Sequence, residues 1–429
     1  MIYQASQNIK FQFTNKNISS NGGIFLYNDF IDHIDLKERL RKYIPFENHS
    51  WIKHEPAQVI IQKILSLLAG YEDNNDVSDL QYDPVYRKIL DDNLASQPTL
   101  SRIENAADIN TVQGFYDLNL ELLHQKWQHE GKTEIILDPD STDSVIHGNQ
   151  TGSAYHGYYG STIYHPLLIH EAGGDLIKAV LRKGNSGSAH KIVRFLTPVV
   201  EQLLKWEYII KLRGDSGMGN PYLYEQCEKW GVEYVIRLKK NAVLLRKAEE
   251  LLPLAGLNKR KQSTRYSTFE YAADSWNKER TVHVKQVYHP NQLLPDYYFV
   301  VTSNSQMTTE EVFEFYEDRG TAENFIKEGK LDCSFTRLSC SSFWANAFRL
   351  QVATLTYNVH NCFRELILPD QLKSHYLSTI RTKLIKVGCR IIYHSRQIIC
   401  QFGKSFKIKK LFEQILLNLK VFSLSLPSP

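Results

Sequence analysis

The chain has 429 residues, 42% of them hydrophobic and 23% charged, with a net charge of +4; this is enough apolar material for buried cores and roughly two to four domains. Its apolar runs, 60–69 and 415–421 among them, are too short or too interrupted to span a bilayer, and the N-terminus lacks the basic-then-apolar pattern of a secretory signal, so a cytoplasmic protein that avoids the membrane is expected. Cys227, Cys333, Cys340, Cys362, Cys389 and Cys400 show no CxxC pairing, which argues against a zinc ribbon or a disulfide framework and leaves mostly buried thiols.

In chain order, residues 56–70 have helical spacing, and the acidic stretch 72–79 separates them from a short helix near 86–90. Ser96 is placed to cap a helix that has Pro98 in its first turn and runs to about Ala106. With a further helix near 111–128, these predict a compact all-helical N-terminal unit. At Thr133 the character changes. T-E-I-I-L-D-P-D reads as a buried strand with Ile136, Asp138 and Asp140 on one face and Ile135, Leu137 and Pro139 on the other. Acids seldom end an apolar strand unless they are paired or bind a metal. Strands at 163–170 and 176–181, an amphipathic helix over 190–205 and a strand at 208–212 follow. The last runs into Gly214-Asp215-Ser216-Gly217, where the two glycines are expected to turn the backbone tightly around another acid. A helix at 222–230 and a strand at 233–238 continue an alternation that predicts a mixed sheet flanked by helices.

Residues 240–303 are β-rich without long helices, with strands at 267–271, 280–288 and 297–302, and read as an insertion. Trp276 falls at a hairpin in D-S-W-N-K, either as a core residue or as a ring placed to stack on an extruded base. Thr308 or Thr309 can cap the next helix, with Glu310 and Glu311 in its first turn. At about 100° per residue, Tyr316, Arg319, Glu323, Lys327 and Lys330 share roughly one third of that helix's circumference, beside an apolar strip of Phe315, Ala322 and Ile326. Arg and Lys supply positive charge for phosphate, Tyr a ring and a hydroxyl. The lone carboxylate between them would repel a phosphate unless a metal ion intervenes. A solvated face laced with i, i+4 pairs would have the same spacing. A helix over 343–365 aligns Trp344, Phe348, Val352, Leu355, Val359 and Phe363 as core, and residues 373–410 interleave Lys and Arg with apolar residues in a strip suited to phosphates.

The order Asp140, Asp215, Glu323, the last inside Y-x2-R-x3-E-x6-K, resembles the DDE transposases of bacterial insertion sequences, in the subgroup with the Tyr-Arg-Glu-Lys signature. Further matches narrow the resemblance to the thirteen-eighty group: L-D-x-D-S-T at 137–142, H-G at 147–148, G-Y-Y-G at 157–160, Y-H-P-L at 164–167, R-x-D-S-G at 213–217 and F-W-A-N at 343–346. The resemblance covers most of the chain. It implies an α/β fold with a ribonuclease H-like catalytic core, a mixed sheet flanked by helices, interrupted by a β-rich insertion. The domains expected are a helical DNA-binding domain at 1–130, the core at 131–242 and 306–368, the insertion at 243–305 and a basic C-terminal region at 369–429.

The resemblance further implies that Asp140, Asp215 and Glu323 are the catalytic residues and hold two Mg²⁺ ions, with Mn²⁺ as a substitute. It assigns Arg319 and Lys330 to DNA phosphates near the scissile bond, Tyr316 to the same end complex and Trp276 to base stacking. The partners implied are double-stranded DNA, both element terminal inverted repeats and target, and a second copy of the chain in a synaptic homodimer at the bacterial nucleoid. Asp138 and Asp140 face the same way on a strand, so either can be the first ligand. Asp140 is chosen because Asp-Ser-Thr resembles the family's aspartate followed by small hydroxyl residues, with Asp138 in reserve. Pro139 removes a ladder donor, which is unusual inside a core strand.

Three carboxylates within about 4 Å of one another repel by several kcal/mol per pair at an effective dielectric near 20, so they must take up protons or bind cations. Two Mg²⁺ ions roughly 3.5–4 Å apart answer that need and suit in-line displacement at phosphorus. The reaction expected is nicking at an element end, then attack of the freed 3′-hydroxyl on another phosphodiester. A transposase-derived DNA-binding protein that does not cut is the alternative, against which the intact acids argue. A metal-free glycosidase would need two acids of divergent pKa and would have no use for the Arg/Lys stripe.

Overall fold

The computed structural model describes residues 2–4, 10–14, 16–44, 46, 54–256, 261–290, 292–394, 397–404 and 408–422. They fall into two compact units, one formed by Met1–Phe115, Leu331–Ser334 and Leu355–Pro429, the other by Tyr116–Lys330 and Phe335–Thr354. Among the described residues no helix is long and apolar enough to cross a membrane. Cys227, Cys333, Cys362 and Cys389 are buried.

In the first unit, Pro56–Leu68 begins with proline in its first turn, where the missing N–H costs nothing, and buries Val59, Ile60, Ile64, Leu65 and Leu68. Ser96 precedes the helix Gln97–Ala106, but its hydroxyl meets the Thr99 hydroxyl at 3.2 Å instead of capping a backbone N–H. The unit is not all-helical. Ile18–Ser19 pairs antiparallel with Cys389–His394, which in turn pairs with Gln397–Phe402. The basic stretch 373–410 is therefore partly spent on internal contacts. Arg381 donates to the carbonyls of Leu67 and Leu68 at the C-terminal end of the helix Pro56–Leu68, and Lys386 Nζ lies 3.7 Å from the centre of the Tyr71 ring.

The second unit is organised by an eight-stranded sheet. Its strands are β1 (Glu134–Ser141), β2 (Leu167–Glu171), β3 (Leu176–Val180), β4 (Ile209–Gly214), β5 (Glu233–Leu238), β6 (Ser263–Tyr271), β7 (Arg280–Tyr288) and β8 (Asp296–Thr302). The order across the sheet is β6-β7-β8-β5-β4-β1-β2-β3, with β4 parallel to β1 and β5 and all other neighbours antiparallel. Helix α1 (Ile192–Lys205) buries Ile192, Leu196, Val199, Val200 and Leu203 at helical spacing, and α2 (Pro221–Trp230) buries Leu223, Tyr224 and Cys227. Both stripes join one core with Leu137, Leu167, Ile169, Leu212 and Phe299.

Three readings of the sequence change here. The strand expected at 163–170 is two, Ser161–Tyr164 and Leu167–Glu171, because Pro166 cannot donate to a ladder. Residues 240–303 do contain a helix, Ala242–Leu251, capped by Asn241, whose side chain accepts from the N–H of Leu244. The three β-rich strands then extend the main sheet through the antiparallel pairing of β8 with β5.

Pro139 finds its explanation in register. Ala172 N donates to Ile136 O and Thr142 N donates to Pro166 O, so the even-numbered residues of β1 bond toward β2 and the odd ones toward β4. Pairing with β4 stops at Leu137 opposite Leu212. The donor that Pro139 lacks would have faced a side where the ladder has already ended.

Candidate active site

Where β1 and β4 part beyond Leu137 and Leu212, the sheet opens at the carboxyl ends of two parallel strands, the usual place for a ligand in such sheets. Asp138 and Asp140 stand on one side and Asp215 on the other. The two β1 acids have different company. Asp138 is almost fully buried and clamped by Arg213, whose Nε donates to Oδ1 at 2.8 Å and Nη2 to Oδ2 at 2.5 Å. Burial pushes the Asp138 carboxyl up while Arg213 pulls it back down. Arg213 Nη1 also donates to Phe315 O at 3.0 Å, tying β4 and β1 to the helix that follows β8. Asp140 is left for other work. Its carboxyl is raised, first by burial and further by the nearby charge of Asp215, with Arg319 opposing.

Asp215 Oδ1 accepts from the N–H of Gly217 at 2.9 Å and of Met218 at 3.1 Å, an Asx turn that fixes the carboxylate. Neither flanking glycine has positive φ, contrary to the turning role expected of them. Their smallness serves close approach instead. A Cβ on Gly214 would lie 3.0 Å from Met218 Cβ, and one on Gly217 3.1 Å from both Asp215 Oδ1 and Ser188 Cβ.

The single helix expected to carry the Tyr316 to Lys330 stripe is two, α3 (Thr309–Glu317) and α4 (Gly320–Asp332). Thr308 caps α3 in a reciprocal box with Glu311. At the junction, Arg319 N bonds Tyr316 O and Ala322 N bonds Arg319 O, tighter three-residue spacing than an α-helix has. The break turns the stripe apart. Arg319 is buried at 7% exposure with Nη2 2.8 Å from Asp140 Oδ2, whereas Glu323 and Lys327 are exposed. Tyr316 is half-buried against Val235, Val300, Val312 and Phe313. Lys330 Nζ lies 2.8 Å from Asp143 Oδ1.

The structure thus brings Asp140, Asp215 and Arg319 together, while the Glu323 side chain is exposed. Among the described residues, no group of three or more His, Cys, Asp or Glu side chains is placed to hold a metal ion. The donors are hard oxygens with partly uncompensated charge, so their chemistry suits a divalent cation. The seat beside Asp140 is taken by the Arg319 guanidinium.

Trp276 lies in the β6–β7 hairpin, half-buried, edge-on to Tyr224 at 5.3 Å and Tyr271 at 5.4 Å. It lines a cavity of about 260 Å³ that also touches Ser216, Gly217 and Gly219, next to Asp215. The ring is therefore both packing element and wall of a space beside one of the acids.

The family described as transposase DDE domain group 1 matches the chain over residues 3–424. The chain belongs to this family of DDE transposases. No curated protein matches the transposase in sequence. Among solved structures, a cryo-EM structure of the piggyBac transposase synaptic complex with hairpin DNA matches at 10% identity and a TM-score of 0.42, covering 87% of this chain and 83% of that chain. So remote a likeness transfers no residue role.

Three residues of the transposase site escaped the sequence reading. Arg213 lay inside a recognised motif without a role. Arg182 is buried and donates from Nη2 to Ser141 Oγ at 2.8 Å, from Nη1 to Ser188 O at 2.9 Å and from Nε to His165 O at 2.8 Å, stitching the end of β1 to the loop before α1. Asp143, the partner of Lys330, sits three positions after Asp140. For Arg182 the available signal was an arginine with no acid at helical or strand spacing, which needs distant oxygen acceptors if it is buried.

Proposed function

We propose that this transposase moves an insertion sequence of the bacterial thirteen-eighty type by metal-dependent cleavage at the element ends and 3′-hydroxyl strand transfer into target DNA, on a ribonuclease H-like core. Asp140, Asp215 and Glu323 are the residues that would hold Mg²⁺, or Mn²⁺ in its place, with Asp138 retained by Arg213 as a structural acid. When bound, the metal supplies Lewis-acid stabilisation of the oxygens that attack and leave phosphorus. Arg319 and Lys330 meet phosphates near the scissile bond, Tyr316 belongs to the same end complex, and Trp276 stacks on a base displaced into the neighbouring cavity. Double-stranded DNA and a second copy of the chain in the synaptic complex are the partners, at the nucleoid.

The observation that carries this reading is the meeting of Asp140 and Asp215 at two diverging parallel strand ends with an arginine against them. A buried Asp140 beside a second acid is costly without a cation. The test is incubation of the protein with DNA carrying the element ends, with and without Mg²⁺. Cleavage is expected only with metal and is lost in Asp140→Asn and Asp215→Asn, which should still bind the DNA. Metal-independent cutting, or undiminished cutting by either variant, would refute the assignment. The exposed position of Glu323 favours one second reading, a DNA-binding derivative that does not cut. Binding without cleavage under every metal condition would establish it.

A further inference from the structure

We infer that Asp140 and Asp143 hold Arg319 and Lys330 as paired latches, so that DNA phosphates and a divalent cation bind the site cooperatively, with Asp143 as the positioning residue of the second latch. The inference rests on the reading of Asp140 as a metal ligand and of Arg319 and Lys330 as phosphate contacts.

The two acids belong to one short segment, Asp140-Ser141-Thr142-Asp143, and the two cations lie about three helical turns apart along the junction and α4. Each cation faces one acid at 2.8 Å. The two pairs differ in depth. The Arg319 and Asp140 side chains are 8% and 20% exposed, those of Lys330 and Asp143 26% and 29%. Arg319 Nη2 lies 2.8 Å from Asp140 Oδ2, but Nε has no acceptor among the described residues, so the guanidinium fork is not fully used. A guanidinium with idle donors is better satisfied by the fork geometry of a phosphate than by its present partner.

While Arg319 lies against Asp140, its charge occupies the side of the carboxylate that a metal ion would use. Asp138 offers no substitute, since both its oxygens accept from Arg213. Asp215 also adds to the field that holds Arg319 in place. A strand of DNA laid over the site supplies phosphates to which Arg319 and Lys330 can transfer, and Asp140 is then left uncompensated beside Asp215. The cation's affinity rises because the guanidinium has gone. By linkage, whatever factor DNA adds to metal affinity, metal adds to DNA affinity. Without DNA the charge of Asp140 is offset by its own arginine, so the site's metal affinity is lower away from its substrate.

The experiment is a Mn²⁺ titration of the full chain followed by the electron paramagnetic resonance of free Mn²⁺, with and without a mixed-sequence DNA duplex at low ionic strength. The duplex should raise the wild-type Mn²⁺ affinity about 5- to 150-fold, the usual range of site-to-site coupling, and Mn²⁺ should raise duplex affinity by the same factor. Arg319→Gln should bind Mn²⁺ tightly without DNA and lose most of that enhancement. Asp143→Asn, at a half-buried position, should bind the duplex about 2- to 5-fold more tightly because Lys330 is released from a partly solvated pair. Equal wild-type Mn²⁺ affinity with and without duplex overturns the latch. So does an Asp143→Asn variant with wild-type duplex affinity, whether or not Arg319→Gln folds. Either result leaves the catalytic reading standing provided that Asp140→Asn and Asp215→Asn abolish Mn²⁺ binding. If Mn²⁺ binding survives both of those substitutions, the catalytic reading and the latch fall together.

Discussion

Asp138→Asn and Asp140→Asn lie two positions apart on one strand and should differ in kind. Asp138 and Arg213 have side chains only 1% and 3% exposed. Neutralising Asp138 leaves a buried guanidinium with Phe315 O as its remaining named acceptor. Stranding one member of a buried pair costs about 3–5 kcal/mol, and the low end applies because an amide oxygen still accepts one bond. At about 2–4 °C per kcal/mol for a unit of this size, the melting temperature should fall by roughly 6 °C or more. The Asp140 side chain is 20% exposed against 8% for Arg319, and Arg319 keeps Asp215 as a second counter-charge, so Asp140→Asn should cost less than Asp138→Asn, about 1–3 kcal/mol. Thermal melts and denaturant midpoints of the two variants, read beside a Mg²⁺-dependent cleavage assay, make the comparison. Asp138→Asn should lose stability, while Asp140→Asn should lose cleavage and keep its fold. Equal melting of Asp138→Asn and wild type, combined with lost cleavage, would make Asp138 the ligand and refute the structural role given to it.

Glu323→Gln should abolish cleavage, retain DNA binding and leave stability within about 0.5 kcal/mol, since the side chain is exposed; a large drop in denaturant midpoint would show instead that Glu323 is part of the packing. Trp276→Ala removes edge-on contacts to Tyr224 and Tyr271, each worth about 0.5–1.5 kcal/mol, and a denaturation curve unchanged from wild type would show that the ring does not pack as described. The pH dependence of stability has a defined sign at Asp175. Burial pushes its carboxyl up, but Lys126 at 2.7 Å from both oxygens and Trp127 Nε1 at 2.8 Å outweigh that and hold it below the ordinary carboxylate value. A lowered folded pKa means stability that is present above the unfolded pKa and lost as pH falls through the folded one. Asp175→Asn should therefore be less stable at neutral pH and decline less steeply on acidification below the ordinary carboxylate range; parallel denaturant midpoints against pH would contradict the pairing.

Much of the local structure was legible because its causes are local. The strand Glu233–Leu238 and the strand Arg280–Tyr288 follow from β-branched and aromatic runs, and the Thr308 and Glu311 box from four consecutive residues. The helix Phe343–Leu366 buries Phe348, Val352, Leu355, Val359 and Phe363 as its period requires. Trp344 is the exception at 37% exposure, because helical spacing identifies a face and not the depth to which each residue of that face is covered. Spacing likewise placed Tyr316, Arg319, Glu323 and Lys330 on one stripe and had no means of seeing the break at 318–319. Arg213, reaching from β4 to Phe315 O, is one of the contacts at that point, and it comes from 102 positions earlier in the chain.

By itself the sequence determined which acids exist, their order, and the strand tip that bears two of them, since alternation along a strand and the chemistry of carboxylates are properties of neighbouring residues. Alternation alone does not separate Asp138 from Asp140, which share a face; only the resemblance carried by Asp-Ser-Thr favours Asp140. Their different surroundings belong to the tertiary structure, where an arginine 75 positions away closes on one carboxylate and a buried arginine rests against the other. The physical reason is that a charge buried at a sheet end is set by what packs over it, and packing depends on where each strand stops pairing, which no local pattern records.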